Sequence, residues 1–420
     1  MRKFLYGTTA LFVVGFATTM VATPVPKAMA AASAGTQPIQ IQVGGFFQGF
    51  LVGASQSDAT GEPGYQTRKV SIRPRSIIEF KGEAKFDNGI KAGVDLQLNG
   101  NNPTAPNSSG AQPVVAMTTY QDYLFLEYGN YGRMELGSTQ SAAYKLWAGA
   151  ATPIPGHGLN SPYFLEMGLG SNLAASPTTY ISFPTVNDLG EKISYFTPRI
   201  AGFQLGISYT PSSCMSNGKS TADISGDYLN SCVFFGQMPS SNNAGVQSNI
   251  IETAVNYTGT FDGVSVTGYG GYGHSSLEAQ ANANNNLKDR DQFGLGGNVG
   301  YKNFTLGASF RTDNLGTRYG APGNVAGTRQ TDYDVGLSYG NGPYFAAITY
   351  HYTATNVEND AGVGLGHDTL SGVSLGGSYT LGPGVSMVGG VQYVDLKAHD
   401  SNPANQNRAW IYLVGTQLTF

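Results

Sequence analysis

The stretch Arg408, Ala409, Trp410, Ile411, Tyr412, Leu413, Val414, Gly415, Thr416, Gln417, Leu418, Thr419, Phe420 carries the reading of the whole chain. Every second residue back from Phe420 gives Leu418, Thr416, Val414, Tyr412 and Trp410, an apolar face with aromatic residues at both ends. The other face mixes Thr419, Gln417 and Gly415 with Leu413 and Ile411. A side-chain period of two means a β-strand, and a strand of this length crosses a bilayer hydrocarbon core when tilted. Aromatic rings at both ends of an outward apolar face match the two interfacial belts of a membrane barrel.

Composition and the amino end agree with an exported β-protein. The sequence holds 58 Gly, 25 Tyr and 21 Phe with only 12% charged residues, a balance that suits short turns and half-apolar strands. Arg2 and Lys3 precede an apolar run from Phe4 to Val21, and Ala28, Met29, Ala30 follow. This pattern reads as a secretory signal peptide over residues 1–30, cut after Ala30 or Ala31, with Ala34 as an alternative. A retained helix fits less well, because the apolar core is short and Pro24 and Pro26 follow it. Removing Arg2, Lys3 and Lys27 lowers Lys+Arg from 23 to 20 against Asp+Glu 27, so the mature net charge is -7. That charge argues against a nucleic-acid partner, which needs clustered cations. Cys214 and Cys232 lie in one Gly/Ser/Asn-rich segment. In an exported chain an even pair favours a disulfide over a metal site, with two separate thiols as the alternative.

Sixteen segments of period two run from Gln40 to Phe420 and predict one domain over residues 31–420. Turn signals such as Asp87-Asn88-Gly89, Asp262-Gly263 and Gly382-Pro383-Gly384 join them in pairs. Short turns alternate with long polar loops, the asymmetry of a barrel spanning an outer membrane. An even count brings the last strand back beside the first, and in lipid a sheet edge cannot stay open, because its N–H and C=O groups would go unsatisfied. The expected fold is therefore an all-β, closed antiparallel transmembrane barrel of about sixteen strands. A barrel of that size encloses an aqueous lumen.

The second segment shows which side faces that lumen. Its odd positions read Arg73, Arg75, Ile77, Glu79, Lys81, Glu83, Lys85, and its even positions read Ile72, Pro74, Ser76, Ile78, Phe80, Gly82, Ala84. A charge on the lipid side near the midplane costs about 2 to 4 kcal/mol, so the charged face points inward. The third segment repeats the rule with Lys91, Asp95, Gln97 and Asn99 inward. A soluble sandwich with one wet face fits these two segments alone, but not sixteen in succession.

On the terminal strand and the sixteen segments, the chain resembles the Gram-negative outer-membrane general-diffusion porins over nearly its whole mature length. The resemblance implies a homotrimer in the outer membrane, a water-filled channel for small hydrophilic solutes and ions, and no cofactor. It implies an assembly signal in Trp410, Tyr412 and Phe420 that is read by the barrel-assembly machinery. It also implies that the long connection over residues 138–190 folds inward as a constriction loop opposite a basic wall. Carried onto this sequence, the wall is Arg73, Arg75, Lys81, Lys85 and Lys91, and the loop acids are Glu166 and Asp188. The loop needs burial for Tyr144, Trp147, Tyr163 and Phe164. It departs from the family in having only Lys145, Glu166 and Asp188 as charged residues between Ser138 and Gly190, and it lacks a Pro-Glu-Phe-Gly-like motif. Steric narrowing by aromatic rings is the alternative to a strong transverse field. A non-conducting adhesin or structural barrel that binds a partner through its long loops is the second reading of the whole chain.

Catalytic signals are weak. Gly-x-Ser-x-Gly occurs around Ser338 and Ser374, but both lie within strand-like segments, whereas a nucleophile elbow needs a strand-turn-helix. His157, His274, His351, His367 and His399 have no metal-ligand spacing. The sequence therefore predicts no enzyme and no metal site.

Overall fold

The alternation of apolar and polar residues becomes sixteen antiparallel strands in a computed structural model. It describes residues 39–420 except 58–59, 65–66, 101–117, 153–185, 188, 214–244, 281–285, 319 and 321–323. The strands are β1 (Gln40–Gln56), β2 (Val70–Lys85), β3 (Ile90–Asn99), β4 (Thr118–Tyr128), β5 (Gly132–Ser138), β6 (Glu191–Phe196), β7 (Phe203–Ser212) and β8 (Gln247–Phe261). They continue with β9 (Val264–Leu277), β10 (Arg290–Tyr301), β11 (Phe304–Asp313), β12 (Ala326–Asn341), β13 (Tyr344–Glu358), β14 (Gly364–Gly382), β15 (Val385–Lys397) and β16 (Asn407–Thr419). Each strand pairs with the next, and β1 pairs with β16, so the sheet closes into a barrel without an edge.

The closing pair runs from Phe46 opposite Thr419 to Gln56 opposite Ala409. Phe420 extends it, exchanging two main-chain bonds of 3.1 Å with Gly45. A side chain could not stand at Gly45, where φ is +150° and a Cβ would lie 2.2 Å from the Ile77 carbonyl oxygen. The expected faces of β16 hold. Trp410, Tyr412, Val414 and Leu418 are exposed outward, while Ile411 and Leu413 are buried inside.

At one end of the barrel the hairpin turns are tight. Asp262 and Gly263 have φ of 51° and 81°, the left-handed pair that matches the twist of the flanking strands. Near this end, outward rings touch across neighbouring strands: Phe203 with Tyr257, Phe304 with Tyr339, and Tyr344 with Tyr379. Toward the long-loop end Tyr333 with Tyr352, and Tyr393 with Trp410, form a second set. Between them the outward face is Leu, Ile and Val, as at Leu295, Leu306, Val335 and Ile348. This arrangement is a lipid-facing belt with two aromatic girdles. Among the described residues no helix is long and apolar enough to cross a membrane, a fact that says nothing about strands.

Several strands outrun their sequence signal. β8 begins at Gln247 rather than Ile250, β13 reaches Glu358 rather than Tyr352, and β14 spans Gly364–Gly382 rather than Thr369–Thr380. Alternation in hydrophobicity marks only the part of a strand that meets lipid, whereas the hydrogen-bond ladder continues into polar residues beyond it. Where the sequence shows no helical period, the described residues include one α-helical turn, α1 (Ala142–Lys145), capped by Ser141, whose Oγ accepts from the Tyr144 N–H at 3.3 Å.

Candidate channel lining and constriction

After β5 the chain turns into the barrel, and residues 139–152 lie as a strap across the inner wall. Ser208 on β7 accepts the Ala142 N–H at 2.7 Å, Tyr269 on β9 donates its hydroxyl to the Ala143 carbonyl at 2.8 Å, and Asn256 on β8 donates to the Leu146 carbonyl at 2.9 Å. Further along, Asp334 on β12 accepts the Ala150 N–H at 3.2 Å, and Thr349 on β13 donates to the Ala151 carbonyl at 2.7 Å. The strap thus adheres from β7 to β13, about half the circumference. Its return leg is tied at Val186, whose N–H donates to Glu252 on β8 at 2.9 Å, and at Leu189, whose carbonyl accepts from Ser138 at 2.7 Å.

The wall is hollowed to receive it. Gly206, Gly296 and Gly307 face inward on β7, β10 and β11, and a Cβ at these positions would lie 2.9 Å from Ala142 Cβ, 2.0 Å from the Ala148 carbonyl oxygen and 2.4 Å from the Gly149 carbonyl oxygen. Leu146 and Trp147 fold down into a buried cluster with Ala142, Ala143, Phe196, Ala254 and Tyr269, and Tyr144 packs against its edge. Trp147 therefore fastens the strap to the wall. Tyr163, Phe164, Glu166, Asp188, Cys214, Cys232 and the signal segment over 1–30 lie outside the described residues.

The opposite wall, β2 to β5, carries the basic residues named from the sequence. Register pairs put Arg73 opposite the buried inward residue Phe50, and Arg75 opposite the buried inward residue Gln48. The Arg75 guanidinium lies 5.5 Å from the centre of the Phe46 ring and 5.9 Å from that of Tyr120. Lys81 stands 5.9 Å from the Phe125 ring, while Lys85 and Lys91 are opposite one another toward the tight-turn end. All five basic residues named from the sequence share this lumen face.

Acids are interleaved with them. Lys91 pairs with Glu83 at 3.4 Å, and Arg133 with Glu127 at 3.6 Å and with Glu135 at 2.8 Å. Glu135 also receives the ammonium of Lys145 from the strap. Burial holds the Lys145 ammonium below the usual lysine range, and Glu135 offsets only part of that. Across β2–β5 and the strap, the inward cations are Arg73, Arg75, Lys81, Lys85, Lys91, Arg133 and Lys145, against Glu79, Glu83, Asp95, Glu127 and Glu135. This part of the lumen is net positive although the full sequence is net negative.

Sequence reasoning did not assign Arg133, Glu135, Lys145, Asp334, Asn256 or the three seat glycines to the site. Asp332 and Asp334 on alternate positions of β12 were the available signal, since both must face inward. Asp332 accepts from Arg311 at 3.0 Å and from Thr353 at 2.6 Å, as part of a buried polar network on β10–β13. Ser338 and Ser374 lie inside β12 and β14, on extended backbone with no helix after them, so neither sits on a nucleophile elbow.

A closed barrel with two outer aromatic girdles and a polar, charged interior crossed by a strap defines a transmembrane β-barrel with a polar lumen. A family model described as Gram-negative porin matches residues 17–399, and the chain belongs to that family. Family and fold together make it an outer-membrane protein, in a class of channels rather than enzymes. Among curated proteins, an uncharacterized protein of Rickettsia conorii is 26% identical over 388 residues, covering 80% of this chain and 82% of its own length. Another, of Rickettsia bellii, is 25% identical over 364 residues, covering 74% and 79%. Among solved structures, OmpF of Salmonella typhi in complex with daunomycin has a TM-score of 0.58 at 16% identity, covering 90% of this chain and 97% of its own. The anion-selective porin of Comamonas acidovorans gives 0.55 at 14% identity, covering 91% and 100%. These likenesses at low identity concern the fold.

Proposed function

We propose that the protein forms a water-filled channel through which small hydrophilic solutes and ions diffuse passively, exported by its amino-terminal signal and assembled as a homotrimer. The observation that carries this reading is the inner wall of β2–β5, whose charged side chains need water, with a strap fixed across the facing wall so that the route is narrowed. A solute crosses by exchanging its hydration shell for contacts with that lining, and no covalent step is involved. Arg73, Arg75, Lys81, Lys85 and Lys91 act on passing charge, and Tyr144 and Trp147 fix the strap. Purified protein in a planar bilayer should give discrete steps of conductance that rise with salt concentration. A folded barrel that inserts without conducting would sink the reading and favour a surface-binding role for its long loops.

A further inference from the structure

The connection after β5 leaves the sheet and returns to it at one elbow. The last register pair between β5 and β6 is Ser138 opposite Glu191, and just before it Gly137 stands opposite Lys192. Beyond that pair the two legs part. The outgoing leg bends toward β7, where the Ala142 N–H reaches Ser208, and the returning leg comes from β8, where the Val186 N–H is held by Glu252. Carbonyls at the end of an antiparallel ladder lose their strand partners, and buried ones must find a donor elsewhere. At this elbow Thr139 and Leu189 are both buried.

One side chain answers for both legs. Lys192 is only 2% exposed on the inner face of β6, and its ammonium donates to the Thr139 carbonyl of the outgoing leg and, at 2.8 Å, to the Gly190 carbonyl of the returning leg. Ser138 adds a second tie, donating to the Leu189 carbonyl at 2.7 Å. Thr139 donates to Gln121 on β4 at 2.8 Å, and Gln121 to Gln97 on β3 at 3.2 Å, so the elbow is braced against the wall beside it. The returning leg is bent tightly, because a Cβ on Gly190 would lie 2.1 Å from Asn187 Oδ1. Bonds from an ammonium are stronger than neutral ones, and removing it here strips two buried carbonyls of that donor.

We propose that Lys192 is a clasp at the base of the strap, a positioning residue of the constriction that touches no passing solute. It fixes the angle at which both legs enter the lumen, whereas Trp147 and the bonds to Asn256 and Asp334 hold the stretch farther along. The inference deepens the channel reading and rests on it. Without the clasp the strap stays pinned at its far end and swings at its base, so the narrow point fluctuates.

The test uses the full-length protein. Lys192→Met keeps the stem and removes the donors, and it should still migrate as a folded, heat-resistant barrel, because the β5–β6 ladder is main-chain. Hydrogen exchange of the Ala142 amide should quicken by about tenfold, as loss of a charge-assisted bond at a buried site requires. The Ala150 amide, held by Asp334, should keep its rate. In planar bilayers the open-channel noise should rise while the zero-current potential in a potassium chloride gradient stays where it was, which separates a clasp from a charge that faces the ions. Lys192→Arg retains donors and should restore quiet currents and slow exchange. Unchanged exchange and noise in Lys192→Met overturn the clasp, and so does a Lys192→Arg variant indistinguishable from it. If Lys192→Met fails to fold, Ser138→Ala decides: it cuts the neighbouring tie and should quicken Ala142 exchange to a lesser degree, and no change there overturns the proposal. Unaltered protein that inserts and never conducts overturns the channel reading, while the exchange rates still report on the clasp.

Discussion

Replacing Gly296 and Gly307 together with alanine should lift the strap from the wall while leaving the barrel intact. The two new Cβ atoms would stand 2.0 Å from the Ala148 carbonyl oxygen and 2.4 Å from that of Gly149, where ordinary contact begins at 3.4 Å. The strap must therefore rise by about 1.0 to 1.4 Å, since the facing atoms are backbone on both sides and no side chain can swing away. A rise of that size takes the Asn256 bond to Leu146, now 2.9 Å, and the Asp334 bond to Ala150, now 3.2 Å, beyond hydrogen-bond range. Losing one neutral and one charge-assisted bond costs about 2 to 4 kcal/mol of local stability. Exchange of the Ala150 amide should then quicken by about tenfold or more. Single-channel conductance should fall and open-channel noise rise, because the strap moves toward the lumen axis. Thermal unfolding should hold its midpoint, since both strands keep their ladders through Gly296 opposite Ser309 and Asn298 opposite Gly307. Gly268→Ala is the control, because nothing lies within 4 Å of its Cβ position. Unchanged conductance together with unchanged exchange at Ala150 would refute the seating of the strap on these glycines.

Deletion of Phe420 removes both main-chain bonds to Gly45 and the aromatic ring at the end of the closing strand. The variant should fail to reach the outer membrane in heat-resistant form, as read by migration of unheated samples. Cys214 and Cys232 should be joined, adding about 3 kcal/mol of local stability in the chain-entropy account of disulfides. Alkylation of the unreduced protein followed by mass measurement should find no free thiol, and two modified cysteines would disprove the pairing. Arg73→Ser with Arg75→Ser should shift the zero-current potential toward cations. Neutralising Glu358 and Asp360, at the long-loop end and screened beyond about 8 Å at physiological salt, should hardly move it. Equal shifts from these two double variants would place the narrow point elsewhere.

The barrel was legible because lipid enforces it. A strand such as β2 must put Arg73, Glu79 and Lys85 on one face and Ile72, Ile78 and Phe80 on the other, so parity alone gave strand, direction and lumen side. Strand ends were less legible, because lipid stops acting on residues such as Asn356 or Gly366 while the ladder still pairs them. The constriction was half legible. Aromatic content marked residues 138–190 as a segment that needs burial, but nothing in Trp147 itself says whether it projects into the lumen or down onto Ala254 and Tyr269. The anchors escaped because each is an ordinary inward polar residue, such as Asn256 or Thr349, whose partner is a main-chain atom more than a hundred residues away. The seat glycines look like any other glycine in a chain that holds 58.

The pairing of β1 with β16 bears on how the molecule comes into being. Phe46 and Thr419 are neighbours in the sheet and lie at opposite ends of the described chain, whereas the other strand pairs join segments next to each other in sequence. Local hairpins can form early, but the seam waits for β16 and carries the largest loop-closure entropy in the sheet. Until then β1 and β16 both expose unpaired N–H and C=O groups, which hydrocarbon does not tolerate and which invite pairing with the wrong chain. The half-made sheet is therefore exposed to wrong pairing until β1 meets β16, where Gly45 and Phe420 exchange their two main-chain bonds.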